Sequence, residues 1–189
     1  MKRLAVYCGS ASGSSPAFAD AARATAEAMT HRGVNLVYGG GRLGLMGVTA
    51  DAVLARGGKV YGVIPHALVN LEVAHTGATE LFTVETMHER KAKMTDLADA
   101  FLALPGGIGT LDELFEAWSW NALGYHAKPF CLLNVDGFWD GMIAFIDHAT
   151  ASGFLSPQRR AQLLIADTPD QALEQLDGAA AAATQGMVW

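Results

Sequence analysis

The sequence predicts a single α/β domain with a Rossmann-like, doubly wound parallel sheet. Short apolar runs alternate with segments of helical periodicity along all 189 residues, which is the pattern of repeated βα units. Hydrophobic residues make up 51% of the chain and charged residues only 17%, as expected where strands are covered on both faces. No internal repeat or domain boundary is evident, so residues 1–189 are assigned to one domain.

The first half of the chain is predicted to hold four strands and three helices. Pro16 opens the first helix and Gly33 ends it, which is the usual placement of these two residue types. Residues 65–79 show no clear periodicity and are expected to be irregular. The predicted strands are Leu4–Cys8, Leu36–Tyr38, Val60–Ile64 and Leu81–Val84, and the remaining helices are Leu45–Arg56 and Met87–Ala98.

The second half continues the alternation with three more strands and three more helices. Its last helix is expected to end near Leu176, and the Ala- and Gly-rich residues from about 178 to 189 are expected to form a flexible tail. The strands are predicted at 100–104, at Phe130–Leu133 and around Leu164, and the helices at 110–123, 139–152 and 169–176.

Charge and composition exclude several classes of function. The net charge is −6, and no basic run interleaved with aromatic residues is present, so we expect no nucleic-acid binding. No apolar run approaches about 18 residues and the start of the chain lacks a signal-peptide core, so we expect a cytoplasmic protein without membrane contact. Cys8 and Cys131 are expected to be buried, reduced thiols. The six histidines lack ligand spacing, so no metal site is predicted.

A glycine-rich segment between a strand and a helix is the strongest functional signal. The apolar run Ala100–Leu104 leads into Pro105-Gly-Gly-Ile-Gly-Thr-Leu-Asp-Glu113, and a helix is expected to begin near Thr110. Such a junction binds phosphate, because free backbone N–H groups and the positive end of the helix dipole face the ligand. Thr110 and Glu113 alternatively form an ordinary capping box, like the one at Thr168–Gln171. Three glycines exceed what a cap needs, which favours a binding site.

A second glycine segment resembles a dinucleotide fingerprint but lies in the wrong place. Gly39-x-Gly41-x-x-Gly44 follows the second strand, and the next strand ends in Pro65-His66 instead of an acidic residue, so we do not predict NAD binding. Neither glycine loop ends in Gly-Lys-Ser/Thr, so ATP binding by a P-loop is not predicted either. The segment serves either tight strand-to-helix packing or the rim of the site.

Two cations share a half-buried helix face in the segment Met87-His-Glu-Arg-Lys91. Met87, Arg90, Lys91 and Met94 have the spacing of one face of a helix. Buried cations need a partner, which is either a structural carboxylate or a bound anion. Arg90 ranks above Lys91 as an anion ligand because its guanidinium can donate two parallel hydrogen bonds.

Together these segments resemble the Lonely Guy (LOG) family of cytokinin riboside 5′-monophosphate phosphoribohydrolases. The resemblance also covers Val6–Ser10, Tyr38–Gly47 and Leu132–Gly137. It implies a Rossmann-like homodimer that hydrolyses the N-glycosidic bond of a nucleoside 5′-monophosphate without a cofactor. Members are often labelled lysine decarboxylases, but nothing in this sequence suggests a pyridoxal phosphate site.

The resemblance implies a catalytic pair, Arg90 and Glu113. A carboxylate beside the anomeric carbon would stabilise oxocarbenium character and activate water. Trp120, on the same predicted helix as Glu113, is expected to cover the site or to pack against a partner helix. We expect substrate contacts from Gly9, Ser10, Gly40, Gly41, Glu72, Met87, Lys91, Gly106, Gly107, Gly109 and Thr110.

Two other functions stay open at this point. The first is an AMP nucleosidase, an enzyme of the same reaction type whose main substrate is AMP. A non-catalytic nucleotide carrier or sensor would use the same glycine loop but would need neither Arg90 nor Glu113.

Overall fold

Seven parallel strands form one sheet with helices on both faces. The computed structural model describes residues 1–71 and 73–185. The strand order is β4-β3-β2-β1-β5-β6-β7, and every neighbouring pair is parallel. The predicted fold class is therefore confirmed.

The strands are short and mostly fully buried. Their bounds agree with the predicted ones to within one residue at most ends. They are β1 Arg3–Tyr7, β2 Asn35–Tyr38, β3 Val60–Pro65, β4 Glu80–Val84, β5 Ala100–Ala103, β6 Phe130–Leu133 and β7 Leu163–Ala166.

Seven α-helices and two short 3₁₀ helices connect or flank the strands in the described part of the chain. The 3₁₀ helices are His66–Leu68 and Val135–Gly137. The α-helices are α1 Pro16–His31, α2 Gly44–Ala55, α3 Met87–Leu97, α4 Ile108–Ala122, α5 Asp140–Ala151, α6 Pro157–Ala161 and α7 Pro169–Gln185.

The observed helices differ from the predicted ones in three places. Helix α4 begins at Ile108, two residues before Thr110. Helix α6 was missed because its five residues are too few to show a period, although Ser156 caps it by accepting a hydrogen bond from the Arg159 N–H at 3.3 Å. Helix α7 continues past Leu176 to Gln185, because alanine favours helix. Residues 186–189 lie outside the described residues, and the flexibility of the tail stays a prediction.

Alternate residues along each strand pack on opposite faces of the sheet. On β1, Leu4 and Val6 belong to the core under α1, α2 and α7. Ala5 and Tyr7 belong to the core under α3, α4 and α5. This explains why the strands read as continuous apolar runs, since each side chain meets a helix whichever way it points.

The order of the strands reverses between β1 and β5, and this places the functional loops. From β1 the chain adds strands in one direction up to β4 and then returns to start β5 on the other side of β1. The carboxyl ends of β1 and β5 are adjacent, with Tyr7 opposite Ala103. Loops leaving neighbouring strands in opposite directions open a crevice, which is where ligands bind in sheets of this type.

Candidate active site

Three loops meet at the crevice between β1 and β5. Backbone hydrogen bonds hold them together. The Gly9 N–H donates to the Pro105 carbonyl at 3.1 Å, and the Leu45 N–H donates to the Gly9 carbonyl at 3.0 Å. Hydrogen bonds therefore join the loop after β1, the loop after β5 and the start of α2 into one unit.

The amino end of α4 is open to solvent. Its N-cap residue is Gly107, and no side chain caps the helix. Gly107, Ile108 and Gly109 are exposed, and the first N–H groups of a helix have no partner within it. Thr110 is not the N-cap but lies inside the first turn with only 2% of its surface exposed. The capping-box interpretation of Thr110 and Glu113 is therefore wrong.

The glycines of the loop before α4 are needed for different structural reasons. A Cβ atom on Gly106 would lie 2.1 Å from Thr110 Oγ1 and 2.8 Å from the Gly9 N atom. Gly106 is thus required by packing within the chain. A Cβ atom on Gly107 or on Gly109 would have no neighbour within 4 Å. The space beside these two residues is free for a ligand to approach the backbone.

Arg90 and Glu113 line the same small cavity, beside the glycine loop. Its volume is about 150 Å³. The residues come from the ends of β1 and β5, from α2, from α3 and from the first turns of α4: Cys8, Gly9, Ser10, Met46, Arg90, Gly107, Ile108, Gly109, Thr110 and Glu113. Seven of these residues were predicted from the sequence as site residues. Cys8, Met46 and Ile108 were not.

The three cavity residues that were not predicted differ in how far the sequence alone could have identified them. Ile108 occupies the variable position of the glycine loop and is 82% exposed, so its place in a predicted phosphate loop could have identified it. Met46 follows the second glycine loop, for which the sequence predicts either a packing role or a place at the rim of the site. Cys8 is buried, as predicted.

Arg90 is anchored by main-chain carbonyl groups. The residue is 4% exposed. Its Nε donates to the Val63 carbonyl at 3.2 Å and its Nη2 donates to the Gly39 carbonyl at 2.8 Å. A Cβ atom on Gly39 would lie 2.0 Å from Nη2, so the second glycine loop makes room for this guanidinium. The sequence predicted a carboxylate or an anion as its partner and did not anticipate these carbonyl groups.

The charge of Glu113 acts on two buried groups, Tyr7 and Cys8. Burial, and then the negative charge of Glu113, raises the pKa of the Cys8 thiol. Burial and the charges of Glu113 and Glu116 likewise raise the pKa of Tyr7. Both groups therefore stay protonated, and Cys8 has none of the thiolate character that a nucleophilic cysteine needs. Among the groups of this cavity, the Glu113 carboxylate is the one suited to acid–base chemistry.

Other predicted contact residues lie around the cavity without lining it in the described part of the chain. Gly40 and Gly41 are held by the irregular segment: the His75 N–H donates to the Gly40 carbonyl at 2.9 Å, and Gly41 forms a bridge with Ala74. The Met87 sulfur lies 3.8 Å from Arg90 Nη1. Gly106 lines an adjacent cavity of about 300 Å³ that also contains Gly9, Ser10 and Gly107. Glu72 lies outside the described residues.

Lys91 pairs with carboxylates, one of the two kinds of partner predicted for it, whereas Trp120 makes a contact that the sequence did not predict. The Lys91 ammonium pairs with Asp112 and Glu116 of α4, so its observed partners are structural carboxylates. The Trp120 ring packs edge-on against Tyr125, with 6.5 Å between ring centroids. Trp120 therefore has a partner within the chain and does not cover the cavity that holds Glu113.

A family model described as "Possible lysine decarboxylase" matches residues 46–176. The cytokinin riboside 5′-monophosphate phosphoribohydrolase LOG of rice (Oryza sativa subsp. japonica) is 45% identical over 188 residues, which are 100% of this chain and 78% of that one. LOG2 of Arabidopsis thaliana, with the same activity in its name, is 46% identical over 93% of this chain and 83% of its own. The chain belongs to the LOG family.

Two solved structures with much lower sequence identity to this chain resemble it in fold alone. The molybdenum cofactor carrier protein of Chlamydomonas reinhardtii superposes with a TM-score of 0.71 at 16% identity, over 95% of this chain and 98% of that one. The structural-genomics target TM1055 superposes with a TM-score of 0.68 at 24% identity, over 94% and 99% of the two chains. The LOG domain thus has the architecture of both proteins.

The lysine decarboxylase description does not fit the residues of this LOG site. Enzymes that use pyridoxal phosphate hold it as a Schiff base with a lysine. No lysine is among the described residues that line the cavity, and Lys91 is engaged by two carboxylates. The residues of this cavity therefore do not suit a pyridoxal phosphate cofactor.

Of the helices in residues 1–71 and 73–185, none combines the length and the apolar character needed to span a membrane.

Proposed function

We propose that this protein hydrolyses the N-glycosidic bond of cytokinin riboside 5′-monophosphates and releases the free base and ribose 5-phosphate. One observation carries the proposal. A single cavity joins an open helix amino end, a buried guanidinium and a carboxylate. The chain that forms this cavity is 45% identical to the rice phosphoribohydrolase over 100% of its own residues.

The 5′-phosphate binds at the amino end of α4. Gly107, Gly109 and Thr110 present N–H groups there, and Gly9 and Ser10 close the other side of the cavity. The N–H groups and the helix dipole both favour an anion at this position. Binding the phosphate orients the ribose, so that energy from a part of the substrate that does not react lowers the barrier at the part that does.

Glu113 and Arg90 act on the glycosidic bond. As the base leaves, positive charge develops at the anomeric carbon, and the Glu113 carboxylate stabilises it and takes a proton from the attacking water. Arg90, held by the carbonyl groups of Val63 and Gly39, provides a fixed positive charge that orients Glu113 or stabilises the departing base. No redox or group-carrier chemistry is needed for this reaction.

The test is release of base from matched substrates. Purified protein is incubated with isopentenyladenosine monophosphate and with AMP, and free base and ribose 5-phosphate are quantified by chromatography. Preferential cleavage of the prenylated nucleotide supports the proposal. Preferential cleavage of AMP would make the protein an AMP nucleosidase, and binding of both nucleotides without any release would make it a carrier or sensor.

The active form is a homodimer. Phe115 on α4 and Phe145 on α5 are 38% and 67% exposed, and they border an apolar cavity of about 290 Å³ between the two helices. An exposed apolar patch of this kind is typical of an interface. Sedimentation equilibrium at micromolar concentration should give about twice 19.9 kDa, and Phe145→Glu should shift it toward the monomer. A fully active monomer would contradict this part of the proposal.

The compartment is the cytoplasm. Cys8 and Cys131 are free and buried, and thiols of this kind are typical of a reducing environment.

A further inference from the structure

Lys91 joins the two helices that carry Arg90 and Glu113. Its Nζ donates to Asp112 Oδ2 at 3.0 Å and to Oδ1 at 3.2 Å, and it also contacts Glu116 Oε2. Lys91 is next to Arg90 on α3, and Asp112 is next to Glu113 on α4. The ion pairs therefore connect the immediate neighbours of both cavity residues.

The pairing is mostly shielded from water. The Lys91 side chain is 11% exposed and that of Glu116 is 16% exposed, whereas that of Asp112 is 52% exposed. Breaking a shielded pair leaves an uncompensated charge, which is costly. Burial lowers the pKa of Lys91, but the hydrogen bonds to Glu116 and Asp112 outweigh it and raise the pKa overall. The ammonium therefore stays charged.

These contacts do not suit a phosphate ligand. An ammonium has three N–H donors, and the two carboxylates already engage Lys91. Lys91 is also absent from the described lining of the cavity that holds Arg90 and Glu113. A phosphate on Lys91 would have to displace two carboxylates of its own charge sign.

Side chains, and not close backbone packing, connect the two helices. Few Cα atoms of α3 approach those of α4. On α3, Arg90 is already held by two carbonyl groups, that of Gly39 just after β2 and that of Val63 on β3. Lys91 and its carboxylates thus tie the first two turns of α4 to α3, in addition to the core that Met94 of α3 shares with Leu114 of α4.

We propose that Lys91 is a positioning residue, and that its ion pairs with Glu116 and Asp112 set the separation between Arg90 and Glu113. The inference rests on the hydrolase function proposed above. It replaces the substrate contact that the sequence predicted for Lys91.

The test uses four proteins: wild type, Lys91→Met, Glu116→Gln and the double variant. We expect each single variant to lower kcat by about tenfold or more at nearly unchanged KM for the monophosphate, since a misplacement of about 1 Å can cost about 100-fold. The double variant should lose no more kcat than the less active of the two single variants, because the two residues act as one unit. Lys91→Arg should restore most of kcat. Lys93→Met is the matched control on α3, because Lys93 lies over the Phe82 ring at 4.7 Å, and it should behave like wild type.

A substrate-binding lysine would give the opposite pattern. Lys91→Met would then raise KM, and Glu116→Gln would lower KM by releasing the ammonium, which would overturn the proposal. If Lys91→Met folds poorly, Glu116→Gln carries the test, and a folded Glu116→Gln protein with the kcat of wild type would also overturn the proposal. Failure of the hydrolase function is distinguishable, because wild type itself would then release no base.

Discussion

Two segments of this chain have the same sequence pattern and opposite roles. At Thr168–Gln171 the side chains close the helix: Thr168 Oγ1 accepts a hydrogen bond from the Gln171 N–H at 3.3 Å, and Gln171 Oε1 accepts one from the Asp167 N–H at 3.0 Å. At Thr110–Glu113 the helix has already begun, Thr110 is buried and Glu113 lines a cavity. A Thr-x-x-Glu/Gln pattern therefore does not by itself tell a cap from a site.

The glycines ahead of α4 make the difference. Gly106 lets the loop pack against both Gly9 and Thr110, which moves the helix start forward to Ile108 and draws Thr110 into the interior. The first N–H groups of α4 are then left without a side-chain cap. In α7 the Gln171 N–H of the first turn is bonded to the Thr168 side chain and is not available to a ligand.

Replacing Glu113 tests this contrast with the largest expected effect. Glu113→Gln should lower kcat by about 10²- to 10⁴-fold, because it removes a positioned acid–base group. Base release from isopentenyladenosine monophosphate measures the loss. Glu174→Gln, an exposed change of the same charge on α7, is the control and should leave kcat unchanged. An unaltered rate in Glu113→Gln would assign Glu113 a structural role instead.

Removing the 5′-phosphate from the substrate tests the open helix end. Adenosine and isopentenyladenosine should show kcat/KM values lower by about 10²-fold or more, since charge-assisted hydrogen bonds contribute about 1.5–3 kcal/mol each. The comparison is made by chromatography at equal substrate concentrations. Equal cleavage of nucleosides and monophosphates would refute phosphate binding at α4.

Alanine substitutions separate the packing glycine from the open ones. Gly109→Ala should fold normally, because nothing lies within 4 Å of the new Cβ, yet raise KM by roughly tenfold by blocking the approach of phosphate, about 1.4 kcal/mol of binding. Gly106→Ala should instead destabilise the fold by about 1–3 kcal/mol through overpacking. Thermal unfolding and steady-state kinetics on both variants check this. An unchanged KM in folded Gly109→Ala would mean that the ligand does not lie there.

Removing the true cap has the smallest expected effect. Thr168→Ala should cost about 1 kcal/mol of stability and lower Tm by about 2–4 °C, with kcat per folded molecule unchanged. A differential scanning measurement beside the activity assay is sufficient. Loss of activity without loss of stability would contradict the purely structural role of this cap.

Much of the fold could be predicted from local patterns. The strand Phe130–Leu133 was placed at its observed bounds, because a fully buried strand is a continuous apolar run between turns. Helix α6 could not be placed, because a five-residue helix has no period. The start of α4 was misplaced because Gly106 fits against Gly9, a contact about a hundred residues distant along the chain.

The site was predictable as a set of residues but not as a set of contacts. The sequence indicates Arg90 as a half-buried cation in need of a partner, and Glu113 as the carboxylate that follows the glycine loop. That both line one cavity follows from the reversal of strand order between β1 and β5, and no local pattern encodes that reversal. The carbonyl partners of Arg90 come from Gly39 and Val63, whose main-chain groups have no signature in the sequence.

The sequence by itself determined the fold class, the order of most strands and helices, the glycine loop, and the two candidate catalytic residues on different helices. Each of these depends on periodicity and residue type over a few neighbouring positions, or on a family motif. Only the tertiary structure decided that α4 is uncapped, that Lys91 pairs with Asp112 and Glu116, and that Trp120 packs on Tyr125. These outcomes depend on which distant groups compete for the same donor or the same space, and that competition is resolved only when the chain is packed.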